Sequence, residues 1–373
     1  MAKRGEQDIE KECRNQTVIL KNRPQIVGSF SVAGKKEGEG IIGKYIGKVF
    51  DDCYFGEKTH EGAEQKMFET ALRGAMKDAK IEHNDIDIIL AGDLLNQITS
   101  SSFAARSFDA SFVGIYGACS TMALTLGVGG ILVDGGYAKN VAVCAGSHFA
   151  TAERQYRTPL ELGNQRSPLS QWTVTGAGAC VLSRGGKATA RVGKQNPTPE
   201  KVTKKNIVSE ILGVGAGSIC ITAVTLGKVI DWGVLDVNNM GAAMAPAAAM
   251  TILAHFRDTG RKPQDFDMIF TGDLGKLGEE LTRKILHDNG YDLGQNYTDC
   301  GRLMFSEEQN LFQGASGCGC SAVTLNSFII SKFRRGEYKR VLFCATGALL
   351  SPVSSYQGNT IPSIAHAVVI ERD

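Results

Sequence analysis

The chain has 373 residues, of which 43% are hydrophobic and 21% charged, and its formal net charge is +2. This composition is typical of a globular protein, and the length predicts two or three domains. The near-neutral charge and the lack of a dense Lys/Arg stripe with interleaved aromatic residues argue against nucleic acid as a partner. The N-terminal sequence MAKRGEQDIEKECRNQ starts with basic residues but has no apolar core, so we expect no secretory signal.

The first part of the chain alternates helices and strands. Apolar spacing predicts a helix over 67–79, and a buried strand follows at 86–92. A strand at 112–117 leads into a helix from about 120 to 133, which is apolar on all sides and is therefore expected to be buried. A further strand is predicted at 140–147. This alternation predicts parallel sheets with crossover helices.

The second part repeats the pattern. Segment 85–94 (DIDIILAGDL) is identical to 265–274 (DFDMIFTGDL) at six of ten positions. Farther along, an ungapped alignment with an offset of 201 residues places Cys119 opposite Cys320. A repeat of this length indicates two homologous halves related by a pseudo-twofold axis. We expect α-β-α-β-α layers, with the two Cys-Ser helices buried in the middle.

The domain limits follow from the repeat. The first half is predicted to span 1–235 and the second 236–373. Strands that close the first half are expected at 178–183, 188–193 and 220–231, and the last strand of the second half at 365–370. Segment 194–218, which holds two prolines and a basic run, is predicted to be a surface insertion.

The cysteines and the long uncharged stretches indicate in which cellular compartment the protein is expected. None of the ten cysteines forms a CxxC pair, and the Cys318/Cys320 pair lacks the further ligands of a zinc site, so we expect reduced thiols and no metal site. Segments 110–133 and 341–364 are long enough to span a bilayer, but glycines or prolines interrupt them. We therefore predict a soluble, cytoplasmic protein with no transmembrane segment.

Cys119 is the first candidate for chemistry. It lies between a buried strand and a buried helix in the sequence GACST. A thiol at a helix N-terminus is expected to have a lowered pKa, as a cysteine nucleophile requires. A small buried residue that serves packing is an equally good interpretation.

Two aspartates and two histidines are further candidates. Asp93 and Asp273 each follow a strand, where they could cap the next helix or contact a ligand. His148 follows the strand at 140–147, at an edge where sites form in α/β folds. His366 starts the last strand. We expect the fold to bring both histidines near Cys119, although a lone histidine is more often structural.

The duplicated halves and the junctional cysteine together resemble the thiolase and ketoacyl-synthase fold, and MAPAAAMTI at 244–252 resembles the MGPxPA element of thiolases. In that family the cysteine takes an acyl group from a thioester, assisted by two histidines or by histidine and asparagine. The matching positions here are Asp273 and the Ser316–Gly317 region, neither of which is the family residue. An aspartate anion beside a developing oxyanion would raise the reaction barrier.

A narrower resemblance covers most of residues 85–373. The strings AGDLLNQ, GACST, VDGGYAKN, SHFATAERQYR, TGDL, GCGCSAV, ATGALLSP and TIPSIAHAVVIER, in this order, resemble the stage V sporulation protein AD family of spore-forming Firmicutes. The resemblance implies a thiolase-like protein with no established acyl transfer. It implies binding of dipicolinic acid (pyridine-2,6-dicarboxylic acid), alone or with calcium. It also implies work with membrane-embedded stage V A proteins at the inner spore membrane.

A planar dicarboxylate requires donors or cations at both ends and an apolar slot for its ring. The residues that we expect to bind it are Cys119, His148, His366, Asp273, Asp93, Arg154 and Arg157, with Lys228 as a weaker candidate. Surface ion pairs with Glu153 or Glu161 are an equally good interpretation of the two arginines.

Three functions remain open from the sequence. The first is a carrier of dipicolinate that supports its uptake into the spore. The second is an active acyltransferase that uses Cys119 as its nucleophile and a coenzyme A thioester as its substrate. The third is a structural scaffold. In every case we expect a homodimer, because thiolase folds pair through their sheets.

Overall fold

The computed structural model describes residues 13–14, 16–156, 166–185 and 217–373. The described strands are β1 (Cys13–Arg14), β2 (Thr17–Ile19), β3 (Gln25–Ala33), β4 (Lys48–Val49), β5 (Ile88–Gly92), β6 (Ser111–Gly114), β7 (Asn140–Ser147), β8 (Trp172–Thr173), β9 (Gly176–Ser183), β10 (Ile219–Thr225), β11 (Met268–Thr271), β12 (Tyr297–Asp299), β13 (Ala315–Ser316), β14 (Arg340–Ala348) and β15 (Ser363–Arg372). The described α-helices are α1 (Lys35–Gly38), α2 (His60–Ala79), α3 (Thr99–Ala105), α4 (Thr121–Asp134), α5 (Phe149–Tyr156), α6 (Met240–Thr259), α7 (Gly275–Asp288), α8 (Cys300–Met304), α9 (Cys318–Thr324), α10 (Ile330–Arg334) and α11 (Pro352–Tyr356). A π-helical turn, Leu325–Ile329, joins α9 to α10.

The strands form two sets with the same internal order. The first set runs β3-β9-β7-β5-β6 and the second runs β10-β15-β14-β11-β12. In each set three neighbouring strands are parallel, while β9 or β15 is antiparallel to both of its neighbours. The sheets are therefore mixed, not purely parallel as the helix–strand alternation predicted.

Strand β10 joins the two sets. It pairs with β15 over most of its length and with β3 through Cys220 and Gln25, so hydrogen bonds connect both sets into one sheet. The sequence assigned this segment to the end of the first half, but its pairing places it in the second set. Where the two halves divide as domains remains a prediction.

Side chains alternate between the two faces of each set, as the two-residue period of a strand requires. On β9, Cys180 and Leu182 face the central layer, whereas Ala179 and Val181 face the outer helix α2. Met122 and Leu126 of α4 lie in the same central cluster, together with residues of both strand sets. The outer face of the second set packs against α6 and α7. This gives the expected α-β-α-β-α layers.

The central helices are buried because they lie between the two strand sets. Helix α4 contacts β5, β7, β9, β10, β14 and β15, and α9 contacts β3, β7 and β9. Apart from two half-buried positions, Leu124 and Val128, the residues of α4 up to Gly130 are buried, in keeping with its lack of a polar face. The outer helix α2 has one exposed side and begins at the cap residue Thr59, whose side chain accepts a hydrogen bond from the Gly62 amide.

The structural repeat has a different register from the sequence alignment. Asp87 accepts hydrogen bonds from the backbone amides of Lys139 and Asn140. In the second half, Asp267 accepts the equivalent two hydrogen bonds from the amides of Lys339 and Arg340. The offset at these strands is therefore 200 residues, not the 201 that placed Cys119 opposite Cys320. Chance identities in apolar helices cannot resolve a shift of one residue, whereas backbone hydrogen bonds can.

Two further expectations concern the membrane and the thiols. Across the described ranges, no helix combines the length and apolarity that are needed to span a membrane. The cysteines in these ranges whose side chains are described are free thiols, and all except Cys53 are buried. The 188–193 strand and most of the insertion at 194–218 lie outside the described residues.

Close contact between the central helix α9 and β9 predicts the effect of one added methyl group. In Gly178→Ala, the new Cβ would lie 2.2 Å from the Ala322 carbonyl oxygen, so the strand and the helix must separate. We expect the free energy of unfolding in urea to fall by about 1–3 kcal/mol. Gly62→Ala, where the nearest atom is the Thr59 hydroxyl at 3.2 Å, is the matched control. Equal unfolding midpoints for the two variants would contradict this packing.

Candidate functional site

A cavity opens where loops of the two halves meet in front of Cys119. It is lined mainly by apolar and aromatic side chains, with a few hydroxyl groups, one thiol and one carboxylate. The lining residues are Leu94, Tyr116, Ala118, Cys119, Ala152, Glu153, Tyr156, Thr173, Val237, Met240, Ser316, Gly317, Ala348 and Leu350. Among these described residues there is no Lys, Arg or His. The cavity measures about 40 Å³, which is room for a few water molecules.

The turn before α4 places Cys119 at the cavity. Ala118 has a φ of +48°, a left-handed conformation that is uncommon for residues other than glycine. The Ser120 hydroxyl donates to the Gly117 carbonyl at 2.6 Å and the Thr121 hydroxyl donates to the Ala118 carbonyl at 2.6 Å. These local bonds hold the turn in its strained conformation. Cys119 therefore faces the junction of the halves.

Asp273 lies behind Cys119 and links three elements. Its carboxylate accepts the Gly317 amide at 3.0 Å and the Thr346 hydroxyl at 2.8 Å. The Cys119 thiol lies close enough to interact with the same carboxylate. The side chain is buried and comes from the TGDLG turn, so it fills the position at which the thiolase-like resemblance expected a histidine.

The protonation of this pair is opposite to that of an activated nucleophile. Burial raises the pKa of Asp273 to about 7. Burial also raises the pKa of the Cys119 thiol well above its usual range, and the negative charge of Asp273 raises it further. The lowered thiol pKa that the helix N-terminus predicted is not found, because desolvation and the adjacent carboxylate outweigh the helix dipole.

A second buried carboxylate shapes the turn that carries Asp273. Asp299 accepts hydrogen bonds from the amides of Leu274, Gly275 and Gly301 at 2.8–3.0 Å and from the Thr271 hydroxyl at 2.8 Å. Burial raises the pKa of Asp299 to about 6. With four donors around it, Asp299 fixes the strand-to-helix turn and leaves Asp273 to face Cys119.

Asp93, the repeat counterpart of Asp273, has a capping role. Its carboxylate accepts the Leu95 amide at 2.8 Å, and the amide and hydroxyl of Ser101 at 2.7 Å each. These bonds tie the end of β5 to α3, and Asp93 is not among the described residues of the cavity wall. This arrangement matches the capping interpretation of the sequence.

The two candidate histidines lie elsewhere. His148 Nε2 is 2.7 Å from the Cys53 carbonyl, its Nδ1 accepts the Ala150 amide, and its ring lies 4.9 Å from that of His60. His366 Nδ1 accepts the Gly227 amide at 3.2 Å, on the central face of β15. Burial lowers the pKa of each imidazole to about 4. Both rings are neutral at pH 7, and neither is among the described lining residues.

Arg154 and Lys228 are also not among the described residues of the cavity wall. Arg154 is about half exposed and forms an ion pair with Glu61. Lys228 is exposed in the loop after β10. Arg157 lies outside the described residues.

Sequence reasoning missed most of the cavity wall. It pointed to the Ser316–Gly317 region through the thiolase resemblance, and both of these residues line the cavity. Tyr116 lies in a predicted strand and Tyr156 in the string SHFATAERQYR, but neither pattern indicates that a tyrosine faces a cavity. The Tyr156 hydroxyl donates to the Leu94 carbonyl at 2.5 Å, which joins one cavity wall to the next.

Metal binding has no support in the described ranges, because no group of three or more His, Cys, Asp or Glu side chains is placed to hold an ion. In particular, the Cys318 thiol donates to the Ala118 carbonyl at 3.0 Å and the Cys320 thiol to the Gly272 carbonyl at 3.3 Å. The CxC pair therefore serves backbone contacts.

Solved structures share this fold. The 3-oxoacyl-[acyl-carrier-protein] synthase III of Aquifex aeolicus VF5 superposes with a TM-score of 0.52 at 13% identity, covering 93% of this chain and 99% of that chain. Human mitochondrial 3-ketoacyl-CoA thiolase, solved in complex with CoA, gives a TM-score of 0.55 at 11% identity, with coverages of 95% and 99%. At such identities the likeness concerns the fold alone, and it confirms the thiolase-like prediction.

Sequence comparison is more specific. A family model described as stage V sporulation protein AD matches residues 14–371. The stage V sporulation protein AD of Bacillus subtilis (strain 168) is 41% identical over 357 residues, which cover 96% of this chain and 97% of that protein. The chain therefore belongs to the stage V sporulation protein AD family, a family of sporulation proteins.

Proposed function

We propose that this protein binds dipicolinic acid in the Cys119 cavity and supports its uptake into the developing spore. The observation that carries the proposal is an apolar, aromatic-lined cavity whose cysteine is held as a neutral thiol by burial and by an adjacent aspartate. A cavity of this kind offers surface for a planar ring and polar groups at its inner end, but it does not offer a nucleophile.

The polar groups at the inner end suit a carboxylate. The Ser316 hydroxyl lines the cavity and forms no hydrogen bond with the described residues, so it is available to donate. The Cys119 thiol lies at the same end. Leu94, Val237 and Leu350 supply apolar surface for the ring. Because the cavity is smaller than the ligand, side chains at its mouth must move as the ligand enters.

Acyl transfer is the alternative function, and the Asp273–Cys119 pair argues against it. A thiolate is the reactive form of cysteine, and both burial and Asp273 disfavour it. A tetrahedral intermediate would also place an oxyanion close to a carboxylate. We propose the binding role for these reasons, with a coenzyme A thioester as substrate only in the alternative.

The partners follow from the family. We propose that the protein acts at the cytoplasmic side of the inner spore membrane, as a peripheral protein, with membrane-embedded stage V A proteins. Calcium would enter as part of the ligand complex, since the described residues form no metal-binding group of their own. The ligand's two carboxylates would then supply the charges that hold the ion.

Calorimetric titration with dipicolinate tests the binding site. We expect saturable binding that becomes about tenfold weaker in Cys119→Ala and in Ser316→Ala, the effect of losing one hydrogen bond to a charged group. Arg154→Ala, which changes an exposed ion pair, should bind like the parent protein. Absence of heat at millimolar ligand, together with an acyl adduct on Cys119 after mixing with acyl-coenzyme A, would favour the enzyme instead.

Thiol reactivity tests the protonation of Cys119. With limiting iodoacetamide at pH 7.5, the exposed Cys53 should be alkylated first and Cys119 only slowly. Asp273→Asn removes a negative charge beside the thiol, so the rate at Cys119 should rise about tenfold for each pKa unit that is recovered. Peptide mass mapping over time reads both sites in one sample. Faster reaction at Cys119 than at Cys53 in the parent protein would contradict a neutral, shielded thiol.

We also propose a homodimer formed through β6. This strand ends the first set, and Val113 within it is 45% exposed, so its outer edge is available for pairing with a second copy. Light scattering should give twice the chain mass. Val113→Lys should shift the population toward monomer, while Val353→Lys, a change at an exposed apolar residue on α11, should not. A single monomeric species for the parent protein would rule out this dimer.

A further inference from the structure

We infer that dipicolinate binding is coupled to the uptake of one proton from solvent, carried by Asp273, so that the cavity accepts the dianion only when this carboxyl group is neutral. The inference rests on the proposed function, because it concerns the same cavity and ligand. It assigns to Asp273 a positioning role, exerted through the Cys119 thiol.

Charge balance is the first reason. At neutral pH both carboxyl groups of the ligand are ionised. The described lining residues include no cation, whereas the Asp273 carboxyl group lies directly behind Cys119. An ionised Asp273 would therefore repel the ligand in a site that is shielded from water. Protonation of one carboxyl group removes that repulsion without any movement of the backbone.

Hydrogen-bond direction is the second reason. While Asp273 is ionised, its carboxylate accepts hydrogen bonds from the Gly317 amide and the Thr346 hydroxyl, and it also attracts the proton of the nearby Cys119 thiol. The thiol proton then points away from the cavity. Once Asp273 is protonated, its O–H can donate to the Cys119 sulfur. The thiol proton is released to point into the cavity, where it can meet a ligand carboxylate.

The groups that face Asp273 make this proton readily available. They are Cys119 on the turn before α4, Asp299 at the end of β12, Cys300 on α8, and Cys318 and Cys320 on α9. Burial, with a smaller effect from the Asp299 charge, raises the pKa of Asp273 to about 7. Burial keeps the four thiols neutral, and Asp299 is satisfied by its own donors. Of the two carboxyl groups, Asp273 is the one that contacts the cavity wall, through the Gly317 amide, and it is therefore the member of this group whose proton is coupled to the cavity.

The sign of the pH dependence follows from linkage. Below about pH 7 Asp273 is already protonated in the free protein, so ligand binding takes up much less than one proton per site. In that range the dissociation constant should not change with pH. Above pH 7 the free protein loses the proton that the complex keeps. The dissociation constant should therefore rise by up to tenfold for each pH unit between about 7 and 9.

Calorimetry of the full-length protein tests the coupling directly. Sodium dipicolinate is titrated at pH 8 in calcium-free buffers that differ in ionisation enthalpy, and the slope of the observed heat against that enthalpy counts the protons. We expect an uptake between about 0.5 and 1 proton per site. Saturable binding with no proton uptake would overturn the inference while leaving the proposed function intact. No binding at any pH would refute both.

Three variants assign the proton. Asp273→Asn should bind with a dissociation constant that is independent of pH between 6.5 and 8.5 and close to that of the parent protein at the acidic end. Asp93→Asn, the counterpart carboxyl that caps α3, should keep the pH dependence. If Glu153→Gln loses the dependence while Asp273→Asn keeps it, the assignment to Asp273 is wrong. Thermal melts of each variant confirm folding, and the proton count on the parent protein needs no variant.

Discussion

The buried carboxyl group of Asp273 is the interaction on which the centre of this molecule depends. It joins the turn before α9, through the Gly317 amide, to β14, through the Thr346 hydroxyl, and both to the Cys119 thiol of the other half. A buried carboxylate is costly unless donors surround it, so these three contacts are coupled to one another. Removing the carboxyl group would leave a buried amide and a buried hydroxyl without this acceptor. The geometry of the cavity floor follows from that constraint.

The same interaction explains how a thiolase-like scaffold can hold its cysteine as a neutral thiol. The turn before α4 places the thiol where a nucleophile would stand, and the helix dipole favours ionisation. Burial and the adjacent Asp273 carboxylate have the opposite effect, and they outweigh the helix dipole. The fold therefore sets the position of the Cys119 thiol, and the neighbouring residues set its ionisation state. An aspartate at the position where the thiolase-like resemblance expected a basic group therefore disfavours the thiolate form of Cys119.

The two copies of the GDL element make different contacts in the two halves. Asp93 ties β5 to α3 through Ser101, which is a purely local role. Asp273 has the corresponding position in the second half, but there the turn is held by Asp299, which accepts hydrogen bonds from the amides of Leu274 and Gly275. With the turn held by another residue, the side chain of Asp273 can cross to the other half. Identical sequence elements thus make a local contact in the first half and a contact with the cavity wall in the second.

The sequence by itself determined the layers, because an internal repeat, buried strands and a helix apolar on all sides admit few arrangements. It also identified Cys119 and Asp273, which stand at strand-to-helix junctions where α/β folds place their sites. Tertiary structure decided the rest. His148 and His366 were expected to lie near Cys119, but each ring instead forms a hydrogen bond with the backbone of a residue far from it in the sequence. The direction of the Cys119 pKa depends on desolvation and on a carboxylate about 150 positions away, and no local pattern encodes either. The register of the repeat, the assignment of β10 and the aromatic cavity wall are likewise set by contacts between residues far apart in the chain.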